Sequence, residues 1–268
     1  MAASARESVR NNVKEKLARG EVVASMIVRL VRTAEITRIA KTAGFDTFYL
    51  DMQHSSLSFE AVGQICLAAL EAGIAPLVRV PTHAPEYVSR VLDLGALGVV
   101  APDVRSAQEA RNVVAAAKFQ PLGERSAASG LPHLKYRSFP AAEANAAMNE
   151  ATLVVVQFES AEAIEHADEI AAVEGVDMVL VGTNDLTADM GIPGEYDHPR
   201  VREAYVRTIA ACRKHGKHAG VGGLATRPQL AAEFVKMGAR FVSTGTDLAF
   251  LLGAAAERAQ QVHDIALK

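Results

Sequence analysis

Residues 153–160, Leu-Val-Val-Val-Gln-Phe-Glu-Ser, change abruptly from apolar to polar. The apolar part has no hydrophilic face, which is typical of a strand buried on both sides in a parallel sheet. Gln157 and Glu159 follow with one residue between them, so an extended chain points both side chains in the same direction. The segment therefore predicts a buried strand that delivers two polar groups to one place.

A second segment, residues 176–187, repeats this arrangement: an apolar strand ends in a turn of small residues that carries Asp185. If the two strands are neighbours, Glu159 and Asp185 lie about 5 Å apart and repel by about 3 kcal/mol at an effective dielectric near 20. A shared proton, an arginine or a metal ion would offset this repulsion. Oxygen ligands with positions left for water and substrate suit Mg²⁺ or Mn²⁺ better than zinc. The alternative is that each acid only caps the helix that follows it.

The composition is that of a large α/β domain, which we expect to span residues 1–268. Half of the 268 residues are apolar, enough to bury about three quarters of the unfolded surface. The net charge of −3 gives no reason to expect nucleic acid or an anionic membrane as a partner. No apolar run approaches the roughly 20 residues of a membrane span.

The expected location is the cytoplasm. Residues 1–20 lack the apolar centre of a signal peptide. Cys66 and Cys212 are isolated and form neither a disulfide framework nor a metal motif.

Strands and helices are predicted to alternate along the whole chain. Strands are predicted at residues 22–30, 46–51, 75–80, 97–101, within 153–160, in a segment ending at 182, at 218–222 and at 240–244. Helices are predicted at 7–19, 34–43, 59–72, 85–94, 106–118, 141–149, 228–237 and 247–265, while 119–140 has no convincing period and is predicted to be a loop.

Eight strands alternating with helices favour a (β/α)₈ barrel over an open doubly wound sheet. No Gly-x-Gly-x-x-Gly follows an early strand, as a dinucleotide-binding sheet would require. Active sites of barrels lie at the carboxyl ends of the strands. The polar residues that follow the apolar strand segments fall at those ends: His54, Arg79, Gln157, Glu159 and Asp185.

Four sites along the sequence could have specific partners. Arg79 cannot shed its charge, so at the end of an apolar strand it should face a carboxylate or a developing oxyanion, unless it forms a surface salt bridge. Asp93 lies near a helix carboxyl end, which disfavours an acid, and a histidine is one candidate partner. Residues 182–184 form a tight turn whose amides could bind a carboxylate. Residues 123–126 could hold an anion or only shape their loop.

Seven motifs, in this order, together resemble the HpcH/HpaI family of metal-dependent (class II) pyruvate aldolases. They are Leu-Asp-Met-Gln-His-Ser (50–55), Val-Arg-Val-Pro (78–81), Val-Leu-Asp-Leu-Gly-Ala (91–96), Pro-Leu-Gly-Glu-Arg (121–125), Val-Gln-Phe-Glu-Ser (156–160), Glu-Gly-Val-Asp (174–177) and Val-Gly-Thr-Asn-Asp-Leu (181–186). The resemblance covers nearly the whole chain and implies a reversible cleavage of 4-hydroxy-2-oxoacids to pyruvate, or hydroxypyruvate, and an aldehyde.

The resemblance also implies roles for individual residues. Glu159 and Asp185 would bind Mg²⁺, Mn²⁺ or Co²⁺, and Arg79 would steady the enolate oxygen. His54 would be the general base, oriented by Asp93. The oxoacid would contact Gln157 and Asn184, with the amides around Gly182 and Thr183 at its carboxylate.

Two positions depart from the family pattern. Gln53 stands where the family usually has Glu, and Thr183 where it favours Pro. The first removes a charge near the base, and the second could change the donor or the acceptor. No lysine occupies a matching strand end for a Schiff base, which agrees with a metal-dependent route.

Alternatives remain open at this point. A related lyase, such as an oxaloacetate decarboxylase or a citrate-synthase-like enzyme, would use the same enolate, and a barrel without catalysis would only bind an oxoacid. The apolar face of Leu248, Leu251, Leu252 and Ala255 and the resemblance together predict a C-terminal helix packed across subunits. We therefore expect a homo-oligomer, specifically a hexamer built as a trimer of dimers.

Overall fold

Eight parallel strands close into a barrel in which each strand pairs with its neighbours in the sequence and β8 pairs with β1. The structure, a computed structural model, describes residues 4–266. The strands are β1 (Val23–Val28), β2 (Thr47–Asp51), β3 (Ala75–Arg79), β4 (Gly98–Ala101), β5 (Leu153–Phe158), β6 (Met178–Gly182), β7 (His218–Gly222) and β8 (Phe241–Thr246). This architecture confirms the predicted (β/α)₈ fold.

The helices connect the strands and cover the outside of the barrel. They are α1 (Ala5–Ser8), α2 (Asn12–Ala18), α3 (Glu35–Thr42), α4 (Phe59–Ala72), α5 (Pro85–Asp93), α6 (Ala107–Ala117), α7 (Ala141–Ala151), α8 (Ala161–Glu165), α9 (Ala167–Ala171), α10 (Thr183–Asp189), α11 (Pro199–Lys214), α12 (Pro228–Met237) and α13 (Asp247–Ala266). The loop predicted at 119–140 is observed at 118–140 and contains one short 3₁₀ turn at Pro132–Leu134.

Two apolar layers hold the barrel together, and the alternation along each strand assigns residues to them. On β5, Val154 and Val156 pack outward against the helices. Val155 belongs to the layer inside the barrel, and the same alternation turns Gln157 inward. Burying each such side chain contributes roughly 1.5–3 kcal/mol. The barrel interior is therefore filled mainly by apolar side chains, with a few small polar groups such as Ser25 and Ser243 buried among them, and the charged groups lie at its rim.

The predicted helix at 7–19 is wrong in one respect: α1 and α2 are separate. Asn11 lies between them as the N-cap of α2, where its side-chain oxygen accepts hydrogen bonds from the amides of Val13 and Lys14. Its Nδ2 donates to the carbonyls of Leu97 and Ala151 at 3.0 and 2.8 Å. These bonds join the break to the amino-terminal end of the barrel, where α2 closes the apolar interior.

The last helix, α13, differs from the others because it does not cover the barrel. Its residues 248–265 are all exposed, and Leu251 and Leu252 retain 60% and 65% of their surface. In the described part of the chain, no helix has the combination of length and apolar character that a membrane crossing needs.

Candidate active site

An open cavity of ≈ 390 Å³ lies at the carboxyl ends of the strands. Its lining includes six of the predicted site residues: His54, Arg79, Gln157, Gly182, Asn184 and Asp185. Because all eight strands run in the same direction, residues far apart in the sequence meet at this rim.

Glu159 lies directly behind this lining and is only 7% exposed. Its Oε1 accepts a hydrogen bond from Gln157 Nε2 at 2.8 Å, and its Oε2 accepts one from the backbone amide of Asp103 at 2.8 Å. Asp103 adopts a φ of 50°, an uncommon left-handed conformation for a residue with a side chain. Both carboxylate oxygens are thus held by fixed donors, which sets the orientation of the group.

Glu159 and Asp185 come together as the sequence predicted, since β5 and β6 are paired neighbours. Burial, and after it the negative charge of Asp185, raises the pKa of Glu159 to about 7. Within the described residues, no cluster of three or more histidine, cysteine, aspartate or glutamate side chains has metal-binding geometry. The site therefore offers two carboxylates and no further protein ligand of these types.

Two glycines allow the turn after β6 to approach these groups. A Cβ on Gly182 would stand 2.7 Å from Gln157 Nε2 and 2.9 Å from Glu159 Oε1, so a larger residue cannot occupy this position. Gly223 has a φ of 78°, and a Cβ there would lie 3.0 Å from the amide nitrogen of Asn184. The amides at the start of α10 therefore stay accessible from the cavity.

Thr183 contributes to the site only through its backbone. Its side chain is fully buried, where its hydroxyl donates to the carbonyl of Gly222 at 2.6 Å and lies 2.8 Å from the hydroxyl of Tyr205. The threonine that departs from the family pattern thus ties β6 to β7 and α11 rather than facing the cavity. Asn184 is held differently: its side-chain oxygen accepts a hydrogen bond from Tyr196 at 2.9 Å.

Asp51 is the central acceptor on the other side of the site. It is fully buried at the end of β2, in register with Arg79 on β3. Arg79 donates to it twice, from Nε at 2.9 Å and from Nη2 at 2.6 Å. Arg29 donates from Nε at 2.5 Å, and the amides of Gln53 and His54 donate at 3.2 and 3.3 Å.

The two arginines decide the protonation of this carboxylate. Burial alone would raise the pKa of Asp51, but the hydrogen bonds and charge of Arg79, followed by those of Arg29, hold it below its usual value. Asp51 is therefore a carboxylate at neutral pH. The pKa of His54 is lowered, first by burial and then by the charge of Arg79, so its ring is neutral under the same conditions.

Asp51 and Arg29 were not predicted as site residues. Asp51 is part of the motif at 50–55, and its distance of three residues from His54 was a usable signal. Arg29 follows Val23, Ser25 and Ile27 at a period of two, the same alternation that identified Gln157 and Glu159.

The structure does not bring Asp93 to His54. Asp93 ends α5, and because α5 runs antiparallel to the strands, this residue lies at the opposite end of the barrel from the cavity. Its carboxylate accepts a hydrogen bond from Arg125 Nη2 at 2.5 Å. Arg125 is buried beside the ring of Phe119, 4.6 Å from its centroid. Asp93 and Arg125 thus shape the loop within this chain, and Asp51 is the acid beside His54.

Known proteins resemble this chain over most of its length. Residues 24–254 match the family described as HpcH/HpaI aldolase/citrate lyase. A 4-hydroxy-4-methyl-2-oxoglutarate aldolase of Hapsidospora irregularis is 40% identical over 260 residues, which cover 96% of each chain. The 2-keto-3-deoxy-L-rhamnonate aldolase of Escherichia coli is 32% identical over 237 residues, 88% of this chain and 87% of that one.

A solved structure shows the same shape. The HpcH/HpaI aldolase from Desulfitobacterium hafniense superposes with a TM-score of 0.88 at 33% identity, covering 93% of this chain and 96% of the other. Together these relationships confirm the predicted enzyme class, a carbon–carbon lyase of the aldolase type that cleaves 4-hydroxy-2-oxoacids. The chain belongs to the HpcH/HpaI aldolase/citrate lyase family.

Proposed function

We propose that the cavity carries out this cleavage with a divalent cation held by Glu159 and Asp185, and that Arg79 and His54 complete the catalytic set. The observation that carries the proposal is the meeting, at the rim of one cavity, of two acidic strand ends with a buried arginine and a neutral histidine. The same four groups arranged on separate surfaces would have no common chemistry.

The donor atoms fit a hard divalent cation. The pKa of Glu159 is raised first by burial and then by the charge of Asp185, and a bound cation would stabilise the charged form of this carboxyl group. Gln157 Oε1 is a buried oxygen with no hydrogen-bond partner in the described structure. Carboxylate oxygens with open coordination positions suit Mg²⁺, Mn²⁺ or Co²⁺. When bound, the cation would polarise the ketone of the oxoacid as a Lewis acid.

Arg79 supplies charge where the enolate oxygen develops as the C3–C4 bond breaks. Its bidentate contact with Asp51 holds the guanidinium in one orientation, so no reorganisation is needed during the reaction. His54 accepts the proton of the C4 hydroxyl through a water molecule during cleavage and returns it during addition. Its lowered pKa keeps the ring free to accept that proton near neutral pH.

The remaining predicted residues position the oxoacid. The side chains of Gln157 and Asn184 face the cavity and would contact the donor half of the substrate. The backbone amides of Gly182 and Thr183 would bind its carboxylate. The first substrate to test is 4-hydroxy-4-methyl-2-oxoglutarate, because the fungal relative at 40% identity acts on it. Its cleavage yields two molecules of pyruvate.

Oxaloacetate decarboxylation and citrate-synthase-like condensation pass through the same enolate, but no observation favours either as the main reaction. Both of these relatives are aldolases.

We also propose a cytoplasmic location, supported by two buried cysteines that form no disulfide, Cys66 and Cys212.

We further propose that the enzyme is a homo-oligomer, specifically a hexamer built as a trimer of dimers. Support comes from α13, whose exposed Leu248, Leu251 and Leu252 form an apolar face larger than a helix in water normally presents.

Metal dependence is the first test. EDTA should abolish the release of pyruvate from 4-hydroxy-4-methyl-2-oxoglutarate, and Mg²⁺, Mn²⁺ or Co²⁺ should restore it. Glu159→Gln should weaken Mn²⁺ binding in calorimetry by at least about tenfold, since a charged ligand is lost. Glu162→Gln, a change to an exposed neighbour, is the control and should bind Mn²⁺ normally. Unchanged activity after rigorous chelation would contradict the proposal.

The second test separates Arg79 from His54. Arg79→Lys loses the planar fork and should lower both pyruvate C3 proton exchange and C–C cleavage by about 10²–10³. His54→Ala should lower the cleavage of hydroxy-oxoacids by about 10²–10⁴. Oxaloacetate has no hydroxyl proton to transfer, so its decarboxylation should suffer much less in His54→Ala.

The exposed Arg90, on the outer surface over Phe59, gives the control Arg90→Lys. This change should leave all three reactions at wild-type rates. If His54→Ala and Arg79→Lys depress cleavage and decarboxylation equally, the division of roles is wrong.

The third test addresses assembly. Sedimentation and light scattering at micromolar protein should give six times the chain mass, and a double change of Leu251 and Leu252 to Glu should give smaller species, because charges would enter the apolar contact. Glu257→Gln on the same helix is the control. A wild-type monomer under these conditions would refute the oligomer.

A further inference from the structure

Arg29 lies on the side of the cavity opposite the proposed metal ligands. It follows β1 directly and lines the cavity, whereas Glu159 and Asp185 follow β5 and β6. In a closed barrel of eight strands in sequential order, β1 and β5 face each other across the axis. Nothing in the proposed mechanism uses this arginine.

Arg29 is fixed at two points. Its Nε donates to Asp51 at 2.5 Å, and its backbone amide donates to Asp247 at 2.9 Å. The same Asp247 carboxylate also accepts the amides of Leu30 and Val31 at 2.9 and 2.8 Å and is 6% exposed. The loop after β1 is thus held to the start of α13, and the arginine has a defined direction.

The terminal nitrogens of Arg29 are available for a ligand. Within residues 4–265, neither Nη1 nor Nη2 has a hydrogen-bond acceptor, while the side chain keeps 32% of its surface. Asp51 carries one negative charge against the two positive charges of Arg29 and Arg79. This group of three side chains therefore keeps one positive charge that an anion in the cavity can neutralise.

The order of the groups around the rim follows the order of atoms in a dicarboxylic substrate. The amides after β6 and the acids after β5 and β6 would take the C1 carboxylate and C2 ketone. Arg79, at the end of β3, comes next around the rim. His54, which follows β2, would lie at the C4 hydroxyl. Arg29 is on the next strand, and β1 pairs directly with β2. A substituent on C4 that extends past His54 would meet its guanidinium.

We infer that Arg29 binds a carboxylate on the acceptor half of the substrate, so that the enzyme prefers acceptors that are themselves oxoacids over uncharged aldehydes or ketones. This inference rests on the proposed function, since it assumes that the donor half occupies the β5–β6 side. A guanidinium fork and a carboxylate form two parallel, charge-assisted hydrogen bonds, which favour this anion over a neutral group of similar size.

Binding of two unreactive analogues tests this without any cleavage. 2-Oxoglutarate and 2-oxopentanoate share the oxoacid end and differ in a terminal carboxylate against a methyl group. In calorimetry with Mg²⁺-loaded wild-type protein, we expect 2-oxoglutarate to bind at least about tenfold more tightly. Arg29→Met should remove most of this ratio of dissociation constants, and Arg29→Lys should retain part of it.

Arg32→Met is the matched control. Arg32 belongs to the same loop but donates to Ser56 and is exposed, so the ratio should stay at its wild-type value. If wild-type protein binds both analogues equally, or if Arg29→Met weakens both by the same factor, the inference is overturned, and Arg29 then acts only through Asp51.

Cleavage kinetics give a second, separate readout. 4-Hydroxy-4-methyl-2-oxoglutarate and 4-hydroxy-4-methyl-2-oxopentanoate differ at the same position, and the second releases pyruvate and acetone. Arg29→Met should lower the ratio of their kcat/KM values by about 10- to 100-fold. If the wild-type enzyme cleaves neither substrate, the proposed function is wrong. The binding of the two analogues would still decide the role of Arg29.

Discussion

The buried carboxylate of Asp51 organises the rim of the cavity. It accepts hydrogen bonds from Arg29, Arg79 and the amides of Gln53 and His54. A carboxylate or a guanidinium buried alone would be strongly destabilising, and only the pair is tolerable. Because arginine cannot lose its proton, the contact persists at any pH at which Asp51 is ionised. One interaction thus sets the direction of two cations and the turn that carries His54.

Charge is distributed unevenly across the cavity. On one side, burial and then the negative charge of Asp185 raise the pKa of Glu159. On the other side, Asp51 offsets only one of the two positive charges of Arg29 and Arg79. A divalent cation and an anionic substrate would neutralise both. The barrel itself is a general scaffold, and the function resides in the side chains at its carboxyl end.

Most of the barrel could be predicted from the sequence because mainly apolar strands alternate with helical segments, and β5 and β6 carry uninterrupted apolar runs. The pairing of β5 with β6 then followed, and with it the meeting of Glu159 and Asp185. The break before α2 was missed, since Val9, Val13 and Leu17 keep a helical spacing across it and all three are buried. Only the tertiary bonds of Asn11 reveal why the helix stops.

The site was harder to predict where a partner comes from an irregular segment. Asp93 was correctly identified as an acid that needs a partner, but Arg125 lies in a loop without periodicity, so no pattern could connect them. Arg29 was missed although it continues the alternation of Val23, Ser25 and Ile27, because the predicted first strand ran through to residue 30 and placed the arginine within the strand rather than at the rim. Asp51 could have been identified from its spacing to His54, but its pairing with Arg79 follows only from the register of β2 and β3.

The most direct test is the rate at which pyruvate C3 protons exchange with solvent deuterium, measured by NMR in Asp51→Asn and in the wild-type enzyme. Exchange needs the enolate but no acceptor, so it reports whether Arg79 is correctly held. We expect exchange to fall by about 10²-fold or more in a variant that thermal unfolding shows to be folded. Exchange at the wild-type rate would contradict the claim that Asp51 orients the catalytic arginine.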